Sequence, residues 1–252
     1  MISRLRSRRS EMGTPMSRDA TTKGIIYIVS TPIGNLEDIT LRALKILKDV
    51  DLIAAEDTRR TRKLLSRFDI HTPLVSYFEQ NELKRLDKLF SHVKKGKDIA
   101  LVSDAGTPGI SDPGYRLIQE AIEREIPVIP IPGPSAAIAA LSIAGLPTDS
   151  FAFVGFLPKK GGKRKKLLDK LADSMWTSIL YESPHRLMET LEDLLVACGD
   201  RQIAVTRELT KAFEEVIRGT ISEVIDILTG KRIKGEITLV LGGKERKRRP
   251  VR

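Results

Sequence analysis

The chain has 252 residues, and 41% of them are apolar, which is enough for a packed core in one large domain or two smaller ones. Its only cysteine excludes an internal disulfide and a cysteine-built zinc site, and it favours a reducing, cytoplasmic location. The formal net charge is +10, and no apolar run reaches the roughly 18 residues of a membrane span.

Three short segments carry the positive charge. Residues 1–23 hold six basic and two acidic residues, residues 159–170 hold seven and one, and residues 244–252 hold six and one. The rest of the chain is mildly acidic. Basic segments on an acidic body indicate a polyanionic partner, and we favour nucleic acid over a role in solubility alone.

From Gly24 the chain alternates between strand and helix patterns. Short apolar runs predict strands at 25–29, 51–55, 73–76, 99–103 and 128–131. Longer segments with helical spacing predict helices at 40–48, 58–68, 81–95, 115–125 and 135–144. Regular alternation of this kind predicts a mostly parallel sheet with helices on both faces.

The composition changes near residues 145–149, where we place a linker. Beyond it, strands are predicted at 151–154, 178–181, 202–206, 213–218 and 236–241, and helices at 164–172, 186–198 and 221–228. The close spacing of the last three strands favours a mixed sheet with antiparallel pairs. The predicted organisation is a disordered basic arm (1–23), two α/β domains (24–146 and 147–243) with a cleft between them, and a basic tail (244–252).

Several predicted strands end in loops rich in glycine and proline. These loops span residues 30–35, 103–114 and 132–135. Glycine allows main-chain atoms to approach a ligand closely, and open α/β sheets bind ligands at the carboxyl ends of their strands. The loops therefore predict a small-molecule site built largely from main-chain atoms, although each loop alone is also compatible with an ordinary turn.

Common phosphate and metal motifs are missing. The chain contains no G-x-x-x-x-G-K-[ST], and no G-x-G-x-x-G follows its first strand. Its three histidines lie far apart, so no metal site is predicted. The ligand is accordingly not expected to be an ordinary dinucleotide held at a helix N-terminus.

Seven segments together resemble one family. They are STPIGNLEDITLRAL, AAEDTRRTRKLL, SDAGTPGISDPG, PIPGPSA, GLPTDSFAFVGFLP, YESPHR and TREL. The chain resembles the ribosomal RNA small subunit methyltransferase I family over residues 24–243. That family has the tetrapyrrole-methylase fold of the class III methyltransferases, which use S-adenosylmethionine (SAM). The resemblance implies a homodimer with SAM between its two α/β domains, no metal, and 2′-O-methylation of a decoding-region cytidine of 16S rRNA in the small ribosomal subunit.

The resemblance also implies which residues contact SAM. These are Pro32, Gly34, Ser103, Asp104, Gly106, Ile110, Ser135, Ala136 and Gly235. A ribose 2′-hydroxyl is a poor nucleophile, so a general base should assist the transfer. Asp104 and Glu236 are the first candidates, ahead of Glu182 and His185. The alternative role for Asp104 is hydrogen bonding to loop amides or to the cofactor ribose.

The central basic segment is the predicted RNA contact. Its members are Lys159, Lys160, Lys163, Arg164, Lys165 and Lys166. Such charges would hold phosphates without reading sequence, and the alternative is a solvated helix face. Arg186 and Arg207 either contact phosphate or pair with Glu182 and Glu208. Two other functions compete with rRNA methylation: methylation of a small tetrapyrrole, and non-catalytic RNA binding during ribosome assembly.

Overall fold

The computed structural model describes residues 23–244. The predicted basic arm and tail lie outside this range, apart from Lys23 and Lys244. Within the range, ten strands form two five-stranded sheets, and eight α-helices connect them. The predicted α/β class is therefore confirmed, and every predicted strand and helix is present with small changes at its ends.

The first sheet is entirely parallel. Its strands are β1 (Ile26–Val29), β2 (Leu52–Ala55), β3 (Leu74–Ser76), β4 (Ile99–Val102) and β5 (Val128–Ile131), and its helices are α1 (Leu41–Asp49), α2 (Thr58–Arg67), α3 (Glu82–Lys94), α4 (Tyr115–Glu123) and α5 (Ala136–Ile143). The strand order is β3-β2-β4-β1-β5. Every residue of β2 and β4 is buried, as expected for a parallel sheet that is covered on both faces.

The strand order brings three loops to one edge of this sheet. Strand β1 pairs with β4 on one side and with β5 on the other. Because the three strands are parallel, the loops at 30–35, 103–114 and 132–135 all leave from the same carboxyl edge. The loops rich in glycine and proline are thus neighbours in space, at the position where open α/β sheets bind their ligands.

The second sheet is mixed. Its strands are β6 (Phe151–Phe156), β7 (Thr177–Glu182), β8 (Gln202–Arg207), β9 (Glu215–Thr220) and β10 (Ile237–Leu241), and its helices are α6 (Gly161–Asp173), α7 (Leu187–Cys198) and α8 (Ile221–Leu228). In the order β6-β7-β10-β8-β9, only the first pair is parallel. This confirms the antiparallel pairs predicted from strand spacing. Helix α6 begins three residues before its predicted start, at Gly161, which adopts a positive φ of 79°.

Helix α5 follows the first sheet in sequence but packs on the second. Ala137, Ala140 and Leu141 share a core cluster with Ile179 of β7 and Val240 of β10. Small side chains allow the helix to approach the strands closely. Its N-terminus therefore lies at the junction of the two sheets, directly after the loop at 132–135.

No helix within residues 23–244 has both the length and the apolar character needed to cross a bilayer.

Candidate functional site

A cleft of about 190 Å³ lies where the two sheets meet. The loops after β1, β4 and β5 contribute one wall, and the strand ends of the second sheet contribute the other. Its lining consists of Ile33, Ala105, Gly106, Thr107, Ile110, Ser111, Asp112, Ser135, Ala136, Phe156, Tyr181, Glu236 and Thr238. Of the residues predicted to contact SAM or act as base, Gly106, Ile110, Ser135, Ala136 and Glu236 are in this lining.

A short bridge between two loops forms the floor of the cleft. The N–H of Thr31 donates to the carbonyl of Gly106 over 2.9 Å, and the N–H of Gly106 donates back over 3.0 Å. Gly106 has a φ of 79°, a conformation that a residue with a side chain adopts only under strain. The bridge explains why this loop needs a glycine, and it fixes the β4 loop against the β1 loop.

The N-terminus of helix α5 forms the opposite corner. Ser135 precedes the helix, but its side chain does not cap it. Tyr181 packs beside the first turn of the helix, against the core cluster that contains Ala137. Burial raises the pKa of Tyr181, so the hydroxyl stays neutral. The corner thus presents a serine hydroxyl and helix N–H groups toward the cleft.

A second cavity of about 180 Å³ lies on the other side of the bridge. It is lined by Thr31, Pro32, Leu36, Arg60, Thr61, Lys63, Leu64, Ser103 and Asp104. Three residues predicted to contact SAM, Pro32, Ser103 and Asp104, line this cavity and are not part of the cleft lining. The sequence could not separate the two faces of one loop, because neighbouring residues point to opposite sides of it.

Asp104 connects the β4 loop to the start of helix α2. Its carboxylate accepts the N–H of Asp57 over 3.0 Å and lies 3.3 Å from the guanidinium of Arg60. Its own N–H donates to Glu56 over 3.1 Å. Asp104 therefore forms hydrogen bonds with a loop amide, which is one of the two roles considered for it.

Glu236 lies at the rim of the cleft. Its side chain is 70% exposed and lies 2.9 Å from the ammonium of Lys211, which also binds Glu208. A side chain at Gly34 would overlap Lys211, and one at Gly235, with its φ of 92°, would overlap Glu208. These two predicted contact residues thus allow the turn after β8 to pack closely, and neither is in the cleft lining.

Asp112 is the cleft carboxylate that the sequence analysis did not select. Burial raises its pKa to about 6, and the negative charges of Glu56 and Asp104 act in the same direction, while a hydrogen bond with Ser103 opposes them. Burial also raises the pKa of Glu56. Perturbed carboxyl groups in a cleft are typical of functional sites. Asp104 and Asp112 are close in the sequence. Glu56 comes near them only because strand β2 pairs with strand β4, and the sequence does not reveal that pairing.

The cleft also has apolar walls, of which the sequence analysis selected only Ile110. Ile110 is 48% exposed and Phe156 is 56% exposed, so both present apolar surface to the cleft. Tyr181 packs edge-on against Phe153, with 5.1 Å between ring centroids, and contacts Phe156 at 5.6 Å. These residues come from strands that are remote in sequence, so only the sheet topology brings them together.

The central basic segment separates into exposed lysines and one buried arginine. Lys159, Lys160, Lys163, Lys165 and Lys166 are exposed. Arg164 was predicted to bind RNA, but its side chain is only 7% exposed. It lies 2.7 Å from Asp193 and also donates to Thr190 and to the carbonyl of Pro158. Its guanidinium is fully used inside the protein, so we remove Arg164 from the RNA surface.

The YESPHR segment has a structural role in the second domain. Glu182 is buried and accepts two bonds from Arg186, at 2.9 and 2.6 Å, and one from Thr190 at 2.7 Å. The pairing of Arg186 with Glu182 was one of the two alternatives considered. Arg207 pairs with Glu215 at 2.9 Å and not with Glu208.

The remaining candidate base, His185, is exposed and does not line the cleft. Within residues 23–244, no cluster of His, Cys, Asp and Glu side chains has a geometry that could hold a metal ion.

The chain is similar in sequence to known methyltransferases. Residues 25–225 match the family described as Tetrapyrrole (Corrin/Porphyrin) Methylases. Ribosomal RNA small subunit methyltransferase I of Halalkalibacterium halodurans is 51% identical over 228 residues, which cover 90% of this chain and 79% of that protein. The protein of the same name from Thermotoga maritima is 50% identical over 222 residues, covering 88% of this chain and 100% of that protein.

Solved structures share the fold at lower identity. A cobalt precorrin-4 methyltransferase has a TM-score of 0.66 at 17% identity, covering 86% of this chain and 94% of that one. Uroporphyrin-III C-methyltransferase from Thermus thermophilus, solved with S-adenosyl homocysteine, has a TM-score of 0.61 at 20% identity and covers 87% and 97%. At these identities the likeness concerns the fold alone.

Proposed function

The chain belongs to the tetrapyrrole methylase family and, within it, to the ribosomal RNA small subunit methyltransferase I proteins, and on that premise we propose that it methylates the 2′-oxygen of a decoding-region cytidine in 16S rRNA. It is a methyltransferase of the small-subunit rRNA, and SAM is its methyl donor. The observation that carries the proposal is the cleft between the sheets, in a chain that shares half of its residues with these relatives over nine-tenths of its length.

The chemistry of the cleft lining is suited to SAM. SAM supplies a methyl group that is already activated by the positive sulfur. The exposed faces of Ile110 and Phe156 would cover apolar parts of the donor. The helix N–H groups and the hydroxyl of Ser135 would hold its polar parts. By fixing the donor beside the nucleophile, such a site can contribute roughly 7–11 kcal/mol through proximity and orientation.

Asp112 is the base that the structure favours. It lies in the cleft lining, and its raised pKa of about 6 keeps it ionised but basic near neutral pH. A carboxylate oxygen of Asp112 would take the proton of the ribose 2′-hydroxyl as the 2′-oxygen bonds to the methyl carbon, while the methyl–sulfur bond would break and S-adenosylhomocysteine would leave. Asp104 faces the second cavity and Glu236 is held by Lys211, so both are less suitable than Asp112.

The exposed lysines around the start of α6 support an RNA substrate. Strand β6 ends at Phe156, in the cleft lining, and Lys159 and Lys160 follow three and four residues later. Lys163, Lys165 and Lys166 lie on the first turns of α6. These charges would hold phosphates beside the nucleotide that enters the cleft.

Two further parts of the proposal concern assembly and location. We propose a homodimer, for which the groove between α3 and α4 is a suitable surface because Leu83 is 65% and Tyr115 is 70% exposed there. Light scattering tests this directly. A ribosomal substrate also supports a cytoplasmic location.

The function is tested by methyl transfer to purified small subunits that lack the modification. With labelled SAM, we expect label in the subunit, and nuclease digestion with mass mapping should place it on the ribose of a decoding-region cytidine. Transfer to a tetrapyrrole and not to the subunit would overturn the proposal, as would binding of subunits without any transfer.

Neutralising the α6 lysines should weaken RNA binding. We expect the triple variant Lys163→Gln, Lys165→Gln, Lys166→Gln to lower subunit affinity and to reduce the log–log salt slope by about 2 to 3, while the affinity for SAM stays unchanged. The matched control changes Lys94, Lys95 and Lys97 to glutamine. These lysines lie at the amino edge of the first sheet, at the end away from the cleft. Equal effects of the two triples would rule out a specific role for α6.

A further inference from the structure

Helix α2 presents a basic face that none of the functions above uses. Its sequence is TRRTRKLLSR, and its buried residues are Thr61 and Leu65. The helix contains no acidic residue. All five of its Lys and Arg side chains are exposed, namely Arg59, Arg60, Arg62, Lys63 and Arg67. The face was not among the three basic segments recognised from charge clustering, because Glu56 and Asp57 directly precede the helix.

Two neighbouring acids, Asp57 and Asp104, neutralise only part of this face. Asp57 pairs with Arg59 at 2.9 Å, and Asp104 faces Arg60 at 3.3 Å. For Arg62, Lys63 and Arg67, no ion pair is present among residues 23–244. Three cations within two turns of one helix therefore face solvent, and no acid of the described part of the chain pairs with them.

The basic face continues into the second cavity. Arg60 and Lys63 line that cavity together with Ser103 and Asp104. The second cavity and the cleft between the sheets share a wall, which is formed by the bridge between Thr31 and Gly106. A group held in the second cavity would thus lie next to the site of methyl transfer, and the two paired loop segments would separate it from that site.

We propose that the α2 face binds the phosphodiester backbone of the substrate RNA beside the target nucleotide, with one phosphate at the mouth of the second cavity between Arg60 and Lys63. This inference rests on the proposed function. Helix α2 rises 1.5 Å per residue, so the face from Arg60 to Arg67 extends over about 10 Å. It anchors the RNA on the first sheet, whereas α6 anchors it on the second, and the target nucleotide enters the cleft between the two anchors.

The test compares two triple variants that lose the same charge. One carries Arg62→Gln, Lys63→Gln and Arg67→Gln, and the other carries the changes at Lys94, Lys95 and Lys97 described above. Affinity for small subunits and for protein-free 16S rRNA is measured over a salt series. We expect the α2 triple to lower both affinities at least tenfold and to reduce the salt slope by about 2 to 3, with an unchanged affinity for SAM. The control should match the wild type.

Each other outcome overturns the inference in a recognisable way. An α2 triple that behaves like the control removes the helix from the RNA interface. A loss of binding to intact subunits but not to protein-free rRNA would mean that α2 contacts an acidic ribosomal protein. Methyl transfer to the subunit by the wild type is measured in parallel. If the wild type transfers no methyl group, the proposed function itself fails, independently of α2.

Discussion

Replacing Glu182 by glutamine is expected to destabilise the second domain by about 3 kcal/mol. Glu182 is buried, and its carboxylate is the counter-charge of Arg186, whose side chain is only 20% exposed. Glutamine keeps the shape but removes the charge, and it leaves the half-buried guanidinium without a counter-charge, with the carbonyl of Leu157 as a remaining acceptor. Breaking a buried pair in this way typically costs about 3–5 kcal/mol, and the partial exposure of Arg186 places the effect at the lower end.

The measurement can be made specific to the second domain. Trp176 is the only tryptophan of the chain and directly precedes strand β7, so its fluorescence during urea unfolding reports on that domain. The matched control is Glu192→Gln, since Glu192 lies on helix α7 with its side chain exposed. We expect the control to change the free energy of unfolding by less than about 0.5 kcal/mol. A similar unfolding midpoint for the two variants would show that the Glu182 network does not stabilise the domain.

The fold could be predicted closely from the sequence, because its strands are short apolar runs between clear turn residues. Strand β4 and helix α3 illustrate this, since periodicity alone placed each of them within one residue of its ends. The exception was the start of α6, where Gly161 and Gly162 gave no helix signal. The packing of α5 on the second sheet was equally invisible, since nothing in a run of small apolar residues states which sheet it will cover.

The site could be predicted only in part. The sequence analysis singled out the loop at 103–114, and residues of this loop line the cleft, but the sequence could not assign Asp104 and Asp112 to opposite sides of it. The prediction that Arg164 binds RNA was wrong for a different reason. A charge run indicates exposure on average, whereas helical geometry turned one of its six members inward, toward Asp193. Contacts between elements remote in sequence, such as Tyr181 with the start of α5, have no local signature.

Replacing Asp112 by asparagine should abolish most of the activity. If its carboxylate is the base, we expect the single-turnover rate to fall by about 10²- to 10⁴-fold, with a small effect on SAM affinity. In the wild type the base must be ionised, so the rate should rise with pH up to about 6, the pKa of Asp112, and level off above it. The asparagine variant should retain its residual rate without this dependence.

The pH dependence of stability gives an independent check of the same group. The folded state raises the pKa of Asp112 from 3.8 to about 6, so it favours the protonated form. The contribution of Asp112 to stability is therefore fully present below pH 3.8 and is lost as the pH rises through about 6. Asparagine cannot ionise, so the variant should lose less stability over this interval. Urea unfolding at a series of pH values measures the difference.

Three carboxylates compete for the catalytic role, and the same assay separates them. Asp104→Asn removes the counter-charge of Arg60 but keeps an oxygen that can accept the Asp57 N–H, so it should disturb the second cavity while the acidic limb of the pH profile persists. Glu236→Gln removes only a rim contact to Lys211 and should preserve that limb as well. The variant in which the limb disappears identifies the base. Its persistence in Asp112→Asn, with loss in either of the others, would return the role to the residues that the sequence suggested first.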